Sequence, residues 1–154
     1  MPGYGISEDG DGLLPWTWAV ERLTRSYGYW LATTRPDSRP HLMAVWAVWL
    51  DGALWFSSAL GSRKALNLAA DGRCSIATEQ AKELVVVEGV AAVQRDLEVI
   101  AAFAAASNAK YEVDLGADFY DPDVNGVWRI APRTVIGIVE DHFVTSPTRW
   151  TFGS

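Results

Sequence analysis

The sequence predicts a mainly β, α+β or β-barrel domain on a mostly antiparallel sheet. Three observations carry that expectation. Short runs rich in aromatic and β-branched residues recur along the chain. Hairpin signals such as Asp51-Gly52 join neighbouring runs. Only three stretches have a helical pattern, too few to connect a parallel sheet, and no GxGxxG motif appears.

Residues 1–14, rich in Gly and Asp, are expected to form a flexible arm, with residues 15–154 as one domain. Pro15 opens a helix over 16–26, whose apolar spacing is Trp16, Val20 and Leu23. A strand over 29–34 ends at the turn Arg35-Pro36-Asp37-Ser38. The nearly continuous apolar run 41–50 predicts one strand buried on both faces, followed by the Asp51-Gly52 hairpin and a strand over 53–58. Ser62 is placed to cap a short helix to about residue 70. Strands are expected over 74–78 and 84–93, with Gly89 marking a bulge or close approach. Asp96 caps an Ala-rich helix over 97–110, and residues 111–125 form an acidic surface loop or lid. The last two of seven strands are expected over 127–130 and 134–139, divided by Pro132.

A net charge of −6 argues against a general nucleic-acid or anionic-membrane binder. The single cysteine, Cys74, excludes an intrachain disulfide and CxxC motifs, and no apolar run approaches the ~20 residues of a membrane helix. A cytoplasmic protein is expected. His41 and His142 have no HExxH or clustered ligand spacing, so no metal site is expected; His41, after Pro40 at the start of an apolar strand, reads as an edge or turn residue, and His142 lies beside Asp141. Asp114, Asp118, Asp121 and Asp123 are irregularly spaced, as on a solvated loop.

The segment Phe56-Ser57-Ser58-Ala59-Leu60-Gly61-Ser62-Arg63-Lys64 runs a strand into hydroxyls, a glycine, and a helix that opens with two cations. Free N–H groups, the positive end of the helix dipole, a hydroxyl donor and two side-chain charges all suit a phosphate. An ordinary capped helix with solvated basic residues has the same pattern.

Trp55-Phe56-Ser57-Ser58 followed by Leu60-Gly61-Ser62-Arg63-Lys64-Ala65 resembles the phosphate-binding segment of the pyridoxamine 5′-phosphate oxidase-like family. Leu31-Ala32-Thr33-Thr34, Ser38-Arg39-Pro40-His41, Asp51-Gly52 and Val85-Val86-Val87-Glu88-Gly89-Val90 fit the same family, so the likeness spans about residues 16–140. It implies an FMN-binding-like split β-barrel of six to seven antiparallel strands with two to three helices. It also implies a homodimer holding FMN or the deazaflavin coenzyme F420 between subunits. By position, Ser57, Ser58, Ser62, Arg63 and Lys64 would bind phosphate, and the backbone of Met43, Ala44 and Val45 would face the isoalloxazine edge. Phe56 and Asn67, inside the matching segments, complete the implied cofactor-binding set.

Met43 and Val48 stand where the vitamin B6 oxidases of this family carry an arginine and a lysine, which argues against pyridoxamine phosphate oxidation. Lys64-Ala65-Leu66-Asn67-Leu68 with Asp71-Gly72-Arg73 resembles the F420-using branch. The expected activity is therefore F420-dependent hydride transfer to a small apolar conjugated substrate. The alternatives are an FMN-dependent reductase or oxidase, and a non-catalytic binder of flavin, haem or a lipophilic ligand. Trp46, Trp49 and Trp55, with Trp150 beside Arg149 in the tail, are the expected pocket walls, although alternation cannot put the first three on one face. Docking of the tail onto a partner subunit is the competing reading of Arg149-Trp150.

Overall fold

The structure is a computed structural model and describes residues 13–153. The expected arm lies outside the described residues except for Leu13 and Leu14, the latter donating its N–H to Thr148 Oγ1 at 2.9 Å. The elements in chain order are α1 (Trp16–Arg25), β1 (Tyr29–Thr34), β2 (Pro40–Val45), β3 (Val48–Leu50), β4 (Ala53–Ala59), α2 (Arg63–Ala70), β5 (Arg73–Thr78), β6 (Glu83–Gln94), α3 (Leu97–Tyr111), β7 (Asn125–Val139) and β8 (Thr148–Thr151). A short 3-10 turn, Glu140–His142, precedes β8.

All strand pairs are antiparallel, in the order β2-β1-β5-β6-β7-β4-β3, with β8 also on β7. The two ends of this order are consecutive in the chain. In a flat sheet they would stand about 29 Å apart at ~4.8 Å per strand. Three Cα steps from Val45 to Val48 reach at most about 11 Å. The sheet must therefore curl until β2 and β3 lie near each other, which makes an α+β split barrel with its seam at Trp46-Ala47.

That seam corrects the expectation of one strand over 41–50. The apolar run hides a break because Ala47, though buried, takes its hydrogen bonds from α3 and not from a ladder. Its N–H donates to the Tyr111 hydroxyl at 2.9 Å, and its carbonyl accepts from Lys110 Nζ at 2.8 Å. Lys110 Nζ also donates to the Tyr29 hydroxyl at 2.8 Å, which donates to the Leu23 carbonyl at 2.6 Å.

The two strands expected at the end of the chain are one, β7. It runs through Pro132 because that residue lies opposite Gly89, next to the register shift at Glu88/Gly89 where the ladder is already irregular. A Cβ on Gly89 would collide with the Ala131 carbonyl, so the close approach requires glycine. The tail also differs from expectation, since Thr148–Thr151 pairs with β7 as a strand.

Two apolar clusters follow from strand alternation. Leu54 and Phe56 of β4 point inward with Leu31, Ile76, Val87 and Ile130. Ala53 and Trp55 point the other way, with Val48 and Val127, against Ile100 and Phe103 of α3.

Burial pulls the Lys110 ammonium down to about 8. Its folded value lies below its ordinary 10.5, so between these values the unfolded chain holds more protons and stability rises with pH. Above pH 9 the buried Cys74 thiol, pushed up to about 12, opposes this. In urea titrations the wild type is expected to gain stability from pH 7 to 9. Lys110→Met should lose that slope because the titrating amine is gone, and it should still fold because Tyr29 and Ala47 retain other hydrogen-bond partners. An equal slope in both proteins would assign it elsewhere.

Candidate cofactor site

At the end of β4, alternation sends Ser57 and Ser58 to opposite faces. Ser58 is buried with the inward row, and its hydroxyl shares a 2.7 Å hydrogen bond with Ser62 Oγ. Ser62 caps α2 by accepting the Ala65 N–H at 3.3 Å. The Arg63 and Lys64 amides, in the first helical turn, have no intrahelical acceptor and point out of the N-terminus. Arg63 is exposed and Lys64 partly buried.

Lys64 and Ser57 line a cleft of about 270 Å³ together with Ala44, Val45 and Trp46 at the seam. Phe103 and Ser107 of α3 and Leu115, Phe119 and Tyr120 of the following loop close its other side. Trp46 is held by face-to-face stacking on Tyr111, centroids 4.3 Å apart and planes 4° from parallel. Tyr120 is tied to α3 by donating to Asn108 Oδ1 at 3.1 Å. Larger hollows of about 580 and 630 Å³ exist, but neither is lined by Ser57 or Lys64. Chemistry therefore singles out the smaller cleft.

The remaining residues expected at a site divide sharply. Met43 shares its face with Val45 and remains 48% exposed at the barrel edge. Phe56 has no exposed surface and belongs to the core. Asn67 is equally buried, and its Nδ2 donates to Thr33 Oγ1 at 3.0 Å. Of the four tryptophans, Trp46 alone lines the cleft. Trp49 and Trp150 pack against Trp16 at centroid distances of 6.1 and 5.3 Å, away from Lys64. Trp55 is buried under α3 and donates its indole N–H to the Leu50 carbonyl at 2.8 Å. Val48 is likewise buried against that helix.

Sequence reasoning missed Phe103, Ser107, Phe119 and Tyr120. The one available signal was Ser107, a polar residue in an alanine-rich helix. Asp114, Asp118 and Asp123 of the acidic loop are exposed, and Asp123 pairs with Arg95 at 2.7 Å. Among the described residues no three His, Cys, Asp or Glu side chains come together, and no helix is long and apolar enough to cross a membrane.

The donor set suits a phosphate: Lys64, two outward amides and the Ser58–Ser62 hydroxyl pair lie at one helix N-terminus, with Ser57 beside Lys64 on the cleft wall. The cleft has the volume for only part of a flavin, just below the range for small-molecule sites. Met43 and Ala44 beside it are exposed.

The antiparallel curled sheet with its three helices defines the class of this protein as an α+β split barrel. The chain belongs to the pyridoxamine 5′-phosphate oxidase family, whose model matches residues 19–138. That family includes flavin-dependent oxidoreductases. Among solved structures, an F420 reductase is 23% identical, with 75% of this chain and 93% of that one covered at a TM-score of 0.60. A conserved hypothetical protein from Mycobacterium tuberculosis is 24% identical, covering 92% and 88% at 0.71. A heme binding protein from Mycobacterium smegmatis is 23% identical, covering 90% of this chain and 59% of its own at 0.67. At these identities the likenesses show the fold alone. No curated protein matches the chain.

Proposed function

We propose that this protein is an oxidoreductase that holds a flavin-type cofactor by its phosphate at the N-terminus of α2. The observation that carries the reading is that Lys64, in the first turn of α2, and Ser57 line one cleft bounded by Trp46. Coenzyme F420 is favoured over FMN. The helix sequence Lys64-Ala65-Leu66-Asn67-Leu68 supports it, as does the presence of Met43 and Val48 where the B6 oxidases place cations.

A bound deazaflavin or flavin supplies hydride chemistry, so the chain needs to position and shield the ring and does not need a catalytic triad. Lys64 and the helix amides neutralise the anion. The backbone of Met43, Ala44 and Val45 runs along the seam where a ring edge would rest, and stacked Trp46 forms a stiff wall. Phe103, Phe119 and Tyr120 exclude water from the opposite side. An apolar groove shares Leu115 and Tyr120 with the cleft, which suits a small apolar conjugated substrate.

The cleft is completed by a second copy of the chain in this reading. Register turns Trp30 and Leu42 outward, where they stand 48% and 59% exposed at the edge of the sheet. The test is an absorption titration of the purified protein with F420 and with FMN, with light scattering on the same samples. Saturable micromolar binding of F420 by a species of twice the chain mass is expected. Tighter binding of FMN would move the assignment to an FMN-dependent reductase or oxidase, and binding of neither would overturn it.

A further inference from the structure

We propose that His41 completes an anion cradle with Arg35, Arg63 and Lys64, taking up a proton from solvent when a phosphate group enters among them. The inference rests on the phosphate reading of α2 given above and adds a ligand that neither motif nor family likeness assigns.

His41 lies on β2 directly opposite Thr33 of β1, so the two side chains share the inward face. Thr33 is where α2 docks, through the Asn67 amide at 3.0 Å. The ring is therefore turned toward the helix that carries Arg63 and Lys64. From the other side, Arg35 reaches over the β1–β2 turn to the Pro40 carbonyl at 3.5 Å, next to His41 in the chain. His41 Nδ1 is buried and has no hydrogen-bond partner among the described residues.

The charges acting on the ring, from Arg35, Lys64 and Arg63, are all positive. The acid in the adjoining turn, Asp37, is engaged by Arg39 through its backbone N–H at 3.1 Å and its Nε at 2.8 Å. The facing residues Thr33 and Asn67 are uncharged. Burial first, and then these cations, hold His41 below the ordinary imidazole range. Among the described residues these positive groups, gathered from three elements, have no counter-charge acting on the ring, and an anion would relieve them. A neutral imidazole offers one N–H, whereas the protonated ring offers two and a charge, so phosphate and proton favour each other's binding. Lys64 belongs both to this set and to the cleft wall, which joins His41 to the proposed cofactor site.

The chain has two histidines, so NMR of the imidazole nitrogens can follow His41 with His142 as an internal control. Full-length protein would be titrated from pH 5 to 9 alone, with F420, with FMN, and with inorganic phosphate replacing chloride at constant ionic strength. The His41 midpoint is expected to rise by about one unit or more with a phosphate-bearing ligand while His142 stays in place. Affinity should then be about threefold or more tighter at pH 6 than at pH 8, with the full tenfold of a one-unit shift reached only below both midpoints, and His41→Gln should flatten that dependence.

Cofactor binding with an unmoved His41 overturns the cradle and leaves the oxidoreductase reading standing. A His41 shift with inorganic phosphate, but no binding of either cofactor, supports the cradle and overturns that reading. An unmoved His41 with no cofactor bound overturns both. The wild-type titration decides among these outcomes even if His41→Gln does not fold.

Discussion

Lys64→Ala is expected to weaken cofactor binding by about ten- to a hundredfold, the equivalent of losing one charged hydrogen bond of ~1.5–3 kcal/mol. Lys64 is the cation that lines the cleft, whereas Arg63 beside it is exposed to solvent. Arg63→Ala should therefore cost less than Lys64→Ala, since a solvated charge near a phosphate is screened. Fluorescence titrations of both variants with F420 and FMN, at one fixed ionic strength, would read the difference. Stability should change little, because neither side chain belongs to an apolar cluster of the barrel. Equal affinity in wild type and Lys64→Ala would remove this lysine from the anchor. Loss of folding in Lys64→Ala would instead mark it as structural.

Phe56→Ala is expected to act in the opposite way, with a loss of about 3–5 kcal/mol of stability, as for other large-to-small changes in well-packed cores. The ring is fully buried in the inward row with Leu54 and Ile130, in the middle of the barrel. It precedes Ser57 in the phosphate-like segment, so by sequence it counts with the cofactor contacts. Alternation separates the two, because Ser57 points to the cleft and Phe56 to the interior. A urea midpoint that falls sharply, with cofactor affinity retained by the fraction that stays folded, is the expected result. A variant of unchanged stability and lost binding would return Phe56 to the site.

These two residues show how far the site was legible in the sequence. The cap at Ser62 and the basic opening of α2 were readable because capping depends on a few neighbouring residues. Lys64 followed from that local geometry. Which neighbouring side chains reach the cleft did not, since it depends on strand register and on the elements covering each face. Asn67 sits one helical turn beyond the anchor and is directed into the core toward Thr33. The tryptophans divided for a similar reason. Their size suits either a pocket wall or a core, and only their packing sends Trp46 to the cleft, Trp55 beneath α3, and Trp49 and Trp150 to Trp16.

By itself the sequence determined the antiparallel character of the sheet, the β3–β4 hairpin, and the capped starts of α2 and α3. The hairpin needs two residues with positive φ, and Asp51 at 50° and Gly52 at 71° supply them. Asp96 accepts the Glu98 and Val99 N–H groups at the start of α3. Such features arise from backbone preferences within one turn of chain. Tertiary structure alone decided where the sheet closes, because the break at Trp46-Ala47 is held by Lys110 and Tyr111, more than sixty residues away. It also decided what surrounds His41, which register sets opposite Thr33, where Asn67 of α2 docks. Hydrogen bonds and charges across such separations leave no periodic trace in the sequence, so they become visible only once the barrel has curled.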